Sequence, residues 1–105
     1  MKSLTCSVLL IVGLLAATNA SANLALANAK GCMACHDMGA KKIGPSYKEV
    51  AQKYAGQKDA PPILVKNILE GSTGTWGDMA MPASKTMGLT EKDARKLVDW
   101  ILKQK

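Results

Sequence analysis

The sequence predicts a small all-α protein, about four short helices around a centre that its own side chains do not fill. Three observations carry this. Apolar residues recur at helical spacing in the segments after Ser46, Asp59 and Thr90, and no stretch alternates apolar and polar residues as a half-buried strand would. Helix-capping residues stand ahead of those same segments. Core material is scarce, because only four of the 105 residues are aromatic and none is Phe, although 48% are hydrophobic. At roughly 100–200 residues per domain, the length allows one domain.

Much of the apolar content lies at the N-terminus. Lys2 is followed by the run Leu9-Leu10-Ile11-Val12-Gly13-Leu14-Leu15-Ala16-Ala17 and then by Ala20-Ser21-Ala22. A basic start, a short apolar run and an A-x-A site make a secretory signal peptide. The run falls short of the ~20 apolar residues that a membrane span needs, so no stable membrane insertion is expected. Residues 1–22 are therefore expected to be removed, leaving a domain of residues 23–105 in the periplasm. A chain of about 83 residues is close to the ~70–80 below which folds generally need a staple, a metal or a cofactor. Cys6 leaves with the signal and does not stand where a lipid-modified cysteine would. Only Cys32 and Cys35 remain, which excludes a multi-disulfide scaffold.

The first expected helix runs from Asn23 to about Lys30, with Leu26 as its main apolar contact, and leads through Gly31 into Cys32-Met33-Ala34-Cys35-His36. C-x-x-C-H is the attachment signature of c-type haem. Two thiols add across the two porphyrin vinyl groups, the two-residue spacer spans them in one turn, and His36 can take the proximal position on iron. Other uses of the motif fit less well. A structural zinc site wants four Cys or His ligands, and the processed chain offers three, His36 being its sole histidine. A thioredoxin-like site belongs beside a βαβ pattern that is missing here. A plain disulfide would leave the histidine without a role.

After a loop over residues 37–45, Ser46-Tyr47-Lys48-Glu49 reads as a capping box. Tyr47, Val50, Ala51 and Tyr54 form the stripe of the helix behind it, with Gly56 as its C′ glycine. Asp59 is the expected cap of the next helix, with Pro61 and Pro62 in its first turn, Leu64, Ile68, Val65 and Leu69 on its apolar face, and Gly71 as its end. Residues 71–89 lack helical periodicity. Thr90-Glu91-Lys92-Asp93 is a weaker capping box, using Asp in place of Glu, ahead of a stripe of Ala94, Leu97, Val98 and Ile101. Glu91–Arg95 and Asp99–Lys103 are spaced as i, i+4 ion pairs.

With no second histidine, the sixth position on iron is open to Met, Lys, Tyr, water or a gas. Met33 lies inside the motif and Met38 is too close to His36 to reach the far face of a ring. Met79, Met81 and Met87 remain, and Pro82 stiffens the chain at Met81, which makes that residue the preferred one on chemistry alone. All three could equally be core fillers, as methionines commonly are.

From about Leu26 onward the chain resembles a class I c-type cytochrome of the short bacterial mono-haem type. The resemblance is carried by Gly31–His36, Gly44-Pro45 followed by Tyr47, and Tyr54-Ala55-Gly56. It continues through Gly71-Ser72-Thr73-Gly74-Thr75-Trp76-Gly77, Met81-Pro82 and Trp100-Ile101-Leu102. It implies the small class I cytochrome c fold, wrapped around one covalent haem c. It also implies attachment at Cys32 and Cys35, iron ligation by His36 and Met81, a Pro45 carbonyl that accepts from His36, and a Trp76 indole N–H that reaches a haem propionate. Trp100 is expected in the core of the last helix. The chain departs from the type at Ala83-Ser84, where an Asn amide often donates to the ligand sulfur, so that Ser84 would have to replace it. The stretch from Met81 to Trp100 is a few residues longer than usual. Asn67 stands where a basic residue often meets a propionate, with Lys66 beside it.

The implied function is one-electron transfer without substrate turnover, by a monomer that shuttles between a cytochrome bc1-type donor and a nitrite reductase, terminal oxidase or peroxidase. Once Lys2 is gone, 13 basic and eight acidic residues leave a formal charge of +5. Lys30, Lys41, Lys42, Lys48 and Lys85 flank the haem-binding segments and are expected to steer partners with acidic docking surfaces. Nucleic acid is not an expected partner, because no basic face is interleaved with aromatics. A gas sensor would need a labile sixth position, and a haem enzyme would need a distal acid–base group besides the one histidine.

Overall fold

The computed structural model describes residues 18–105; of the expected signal segment 1–22, residues 1–17 lie outside them and residues 18–22 form the start of the first helix. The helices are α1 (Thr18–Ala29), α2 (Tyr47–Lys53), α3 (Ala60–Glu70) and α4 (Glu91–Ile101). Short 3₁₀ turns occupy Cys32–Ala34 and Ser84–Met87. The second of these turns lies in a stretch that the sequence leaves irregular. Among the described residues there is no strand, only one isolated antiparallel bridge between Ser72 and Met81.

Local sequence accounts for where the helices begin. The capping box of α2 is complete: Ser46 Oγ accepts from Glu49 N at 3.1 Å, and Ser46 N donates to Glu49 Oε2 at 2.7 Å. In α4 only half of the box forms, with Thr90 Oγ1 accepting from Asp93 N at 3.1 Å. The aspartate side chain is one methylene shorter than glutamate and makes no return bond. Asp59 occupies the N-cap of α3 but lies in the right-handed helical region and makes no capping bond, so the prolines of the first turn do more there than the aspartate. Gly56 does not end α2 directly, since the helix stops at Lys53 and Tyr54 caps it. It sits instead in the next turn, closed by Gln57 N donating to Tyr54 O, where its φ of 75° suits glycine.

The apolar stripes meet in one core. α4 is its axis, packed against α1, α2 and α3, and it buries Ala94, Leu97, Val98, Trp100 and Ile101. α2 contributes Tyr47, Val50 and Ala51, with Tyr54 buried just beyond its end, and α3 contributes Ala60, Leu64 and Ile68. On α1, Ala27 is fully buried, and Leu26, the expected main apolar contact, packs partly buried against the core. The Glu91–Arg95 pair forms at 2.7 Å. No Asp99–Lys103 pair forms among the described residues, whose other ion pair joins Lys85 to Glu70 at 3.8 Å.

Candidate functional site

α1 delivers the chain to Gly31, whose left-handed φ of 77° turns it into the 3₁₀ turn Cys32–Ala34. His36 N and Cys35 N both donate to Cys32 O, at 3.0 and 3.3 Å, so both cysteines and the histidine stand on one tight turn. The chain then loops out and returns, with Gly44 N donating to Cys35 O at 2.8 Å. Tyr47 N and Lys48 N, two first-turn donors of α2, bond to Asp37 O and Met38 O at 2.9 and 3.1 Å. The first turn of α2 is thereby satisfied by the tail of the C-x-x-C-H motif, which locks the motif to the helix.

His36 is fixed on three sides. Its Nδ1–H donates to the Pro45 carbonyl at 2.6 Å. A carbonyl can only accept, so Nδ1 carries the hydrogen and Nε2 keeps its lone pair. Tyr47 stacks on the ring, with centroids 5.4 Å apart and planes 19° apart. Gly44 closes the third side: a Cβ there would lie 2.8 Å from His36 Cε1, so only glycine fits. Tyr47 in turn meets Trp100 edge-on at 5.2 Å, which ties the ring stack to α4.

The motif opens onto a cleft that is partly open to solvent. Cys32, Cys35, His36, Met81, Pro45 and Trp76 all line it, so the six predicted site residues come together. Much of the core lines it too, through Tyr47, Val50, Leu64, Ile68, Leu97 and Ile101. Burial pushes the Cys32 thiol above its ordinary pKa, against opposing hydrogen bonds from its own backbone and from Tyr47. Burial likewise raises the Tyr47 phenol, reinforced by the neighbouring Cys32.

The methionines separate by position. Met33 and Met38 pack against the core and do not line the cleft, and Met87 is exposed away from it. Met79 and Met81 both line it, but Met79 is 70% exposed while Met81 packs on the core. Met81 is also anchored: its N–H donates to Ser72 O at 2.8 Å, and its carbonyl accepts from Ser72 N at 3.1 Å. That bridge closes the neck of the loop 72–81, which carries Trp76. Ser84 is buried, yet makes no hydrogen bond to the Met81 sulfur among the described residues. Asn67 lines the cleft and Lys66 is exposed. None of the five flanking lysines lines the cleft; Lys42 Nζ donates to Met33 O at 3.1 Å.

Sequence reasoning missed the supporting residues. Tyr47 reads as one member of a helical stripe, and nothing in its spacing points to the histidine. Ser72 gave no signal. Gly71 reads as a helix end, but its φ of 81° and ψ of 168° lie in a region nearly exclusive to glycine.

Two thiols and an imidazole on one turn, facing a largely apolar cleft with a thioether in its wall, fit a covalently attached haem in donor chemistry. A helical shell built around such a site defines a small mono-haem protein of the c type. The sequence matches the cytochrome c family model over residues 24–105, and the chain belongs to that family. It is similar to cytochrome c-552 of Hydrogenobacter thermophilus, 49% identical over 92 residues that cover 88% of this chain and 89% of the relative. Cytochrome c-551 of Pseudomonas aeruginosa is 43% identical over 76 residues, covering 72% and 70%. The crystal structure of Nitrosomonas europaea cytochrome c552 superposes with a TM-score of 0.73 at 40% identity, covering 78% of this chain and 99% of that one. The protein is thus a small class I cytochrome c that carries one covalent haem c as an electron carrier. Among the described residues, no helix is long and apolar enough to cross a membrane.

Proposed function

We propose that the chain is an exported, periplasmic one-electron carrier in which Cys32 and Cys35 hold the haem by thioether bonds and His36 and Met81 are the axial iron ligands. The observation that carries the reading is the 2.6 Å bond from His36 Nδ1 to Pro45 O. It leaves Nε2 as the ligating nitrogen, in a ring that Tyr47 and Gly44 prevent from turning. Met81 supports the second axial role, being the anchored methionine of the two that line the cleft. The bound haem supplies the Fe(III)/Fe(II) couple, and His/Met ligation places it at positive potential.

The remaining chemistry belongs to the side chains. His36 and Met81 stay in place in both oxidation states, which keeps reorganisation small and leaves no position for a substrate, so the protein turns none over. Apolar walls keep water from the iron, and the Trp76 indole N–H hydrogen-bonds a propionate. Residues 1–22 act as the signal peptide. The surface lysines around the site steer a cytochrome bc1-type donor and an acceptor such as a nitrite reductase, terminal oxidase or peroxidase, each with an acidic docking face. The visible spectrum of the oxidised protein tests the ligand set: the weak near-red band of a Met–Fe(III) bond is expected, and is expected to vanish in Met81→Ala. Survival of the band in that variant would exclude Met81 as the ligand.

A further inference from the structure

The cleft wall carries no lysine or arginine among the described residues. Haem, by contrast, bears two carboxylates, and a carboxylate beside apolar walls needs a cation or hydrogen-bond donors to remain ionised. One ammonium group reaches the lining from outside: Lys53 Nζ stands 5.3 Å from the centroid of the Trp76 ring. Trp76 lines the cleft yet keeps 39% of its surface exposed, which places the pair at the rim. Lys53 is the last residue of α2, whereas Trp76 belongs to the loop closed by the Ser72–Met81 bridge. The contact therefore ties a helix to the loop that carries both Trp76 and Met81. Lys53 has no carboxylate partner among the described ion pairs, so its charge is not neutralised within the chain.

We infer that Lys53 is a positioning residue: its ammonium group holds Trp76 at the cleft rim and supplies, toward the haem carboxylates, the positive charge that the cleft wall lacks. The inference rests on the proposed place of Trp76 beside a propionate. A cation at that rim favours the reduced centre, because oxidation adds a positive charge to the site. A purely structural alternative is also concrete. A lysine in the last turn of a helix offsets the helix dipole, and that role affects stability without affecting the potential.

The test compares the haem-loaded native protein with Lys53→Gln, Lys53→Arg and Trp76→Phe. Three properties are measured: reduction potential at low and high salt, thermal midpoint, and the NMR resonance of the Trp76 indole N–H. Lys53→Gln is expected to shift the ratio of oxidised to reduced protein, at fixed ambient potential, by about two- to threefold toward oxidised, the effect of one screened surface charge. The shift should shrink at high salt, the indole resonance should move, and Lys53→Arg should restore both. A Lys53→Gln protein that differs only in thermal midpoint overturns the inference. If Trp76→Phe alone shifts the potential, the role of Lys53 fails while that of Trp76 stands. If neither variant shifts it, both roles fail.

Discussion

Gly71 lies so close to the backbone of Met81 that a Cβ on it would stand 2.6 Å from the Met81 carbonyl oxygen and 3.3 Å from Ala83 N. The same carbonyl accepts from Ser72 N, so the residue that ends α3 and the methionine in the cleft wall share one backbone junction. Gly71→Ala would meet both the clash and a backbone conformation that L side chains rarely adopt. The expected cost is about 1–3 kcal/mol, or roughly 4–8 °C of thermal midpoint per kcal/mol in a domain of this size. Because the junction carries Met81, the near-red absorbance of the oxidised protein should weaken together with the midpoint. A variant of native stability and native spectrum would show that the loop neck yields freely.

The helix caps allow a graded comparison. Ser46 is fully buried and bonded in both directions with Glu49, whereas Thr90 is exposed and makes one bond. Ser46→Ala leaves Glu49 N without its partner in a buried setting and should cost about 1–2 kcal/mol; Thr90→Ala should cost about 0.5–1 kcal/mol. Denaturant midpoints with unchanged slopes measure both. Equal costs would mean that the buried setting of Ser46 adds nothing to the worth of its capping bond.

What could be read from the sequence divides along a physical line. The starts of α2 and α4 and the buried stripe from Ala94 to Ile101 follow from local rules that act within one turn of helix. The C-x-x-C-H segment was legible because its chemistry needs only that spacing. The supports of the site were not, because each joins residues distant in sequence: Tyr47 to His36, Ser72 to Met81, Lys53 to Trp76. Such pairs depend on the tertiary path of the chain. Gly44 and Gly71 belong to the same group, since the demand for glycine arises from an approaching imidazole and an approaching carbonyl rather than from a turn motif. On α1 the contact with the core is shared, Leu26 packing partly buried against it beside the fully buried Ala27.

The Tyr47 phenol sets a limit on the alkaline side. Burial holds its pKa in the folded protein above the value of about 10 that it has when unfolded. The folded state then binds the phenolic proton more tightly. The stability that this contributes is complete below pH ~10 and is lost as pH rises from there through the folded pKa. Unfolding free energy measured against pH should therefore fall above pH ~10, and it should fall less steeply in Tyr47→Phe, which keeps the stack on His36 without the titrating group. Identical slopes in the two proteins would place the alkaline loss elsewhere. The phenolate absorbance of Tyr47 should emerge only with unfolding.

Removal of the haem tests the architecture as a whole. Tyr47, Val50, Leu64, Ile68, Leu97 and Ile101 belong to the core and also line the cleft, so the centre of the protein is shared between side chains and cofactor. With four aromatics in 105 residues, no spare bulk is available to collapse into the space. An apo chain made without haem attachment would have to leave those side chains facing water, at roughly 25 cal/mol per Å² of apolar surface. In a domain this small, that loss is comparable with the whole expected stability. The apo form is therefore expected to show much-reduced helical circular dichroism and no cooperative thermal transition, whereas the haem-loaded protein should show both the helix signal and a single sharp transition. The Cys32→Ala/Cys35→Ala chain, expressed without covalent haem, should behave like the apo form. A cooperative transition in either would mean that the four helices hold together without the cofactor, and that the scarcity of aromatic residues has another cause.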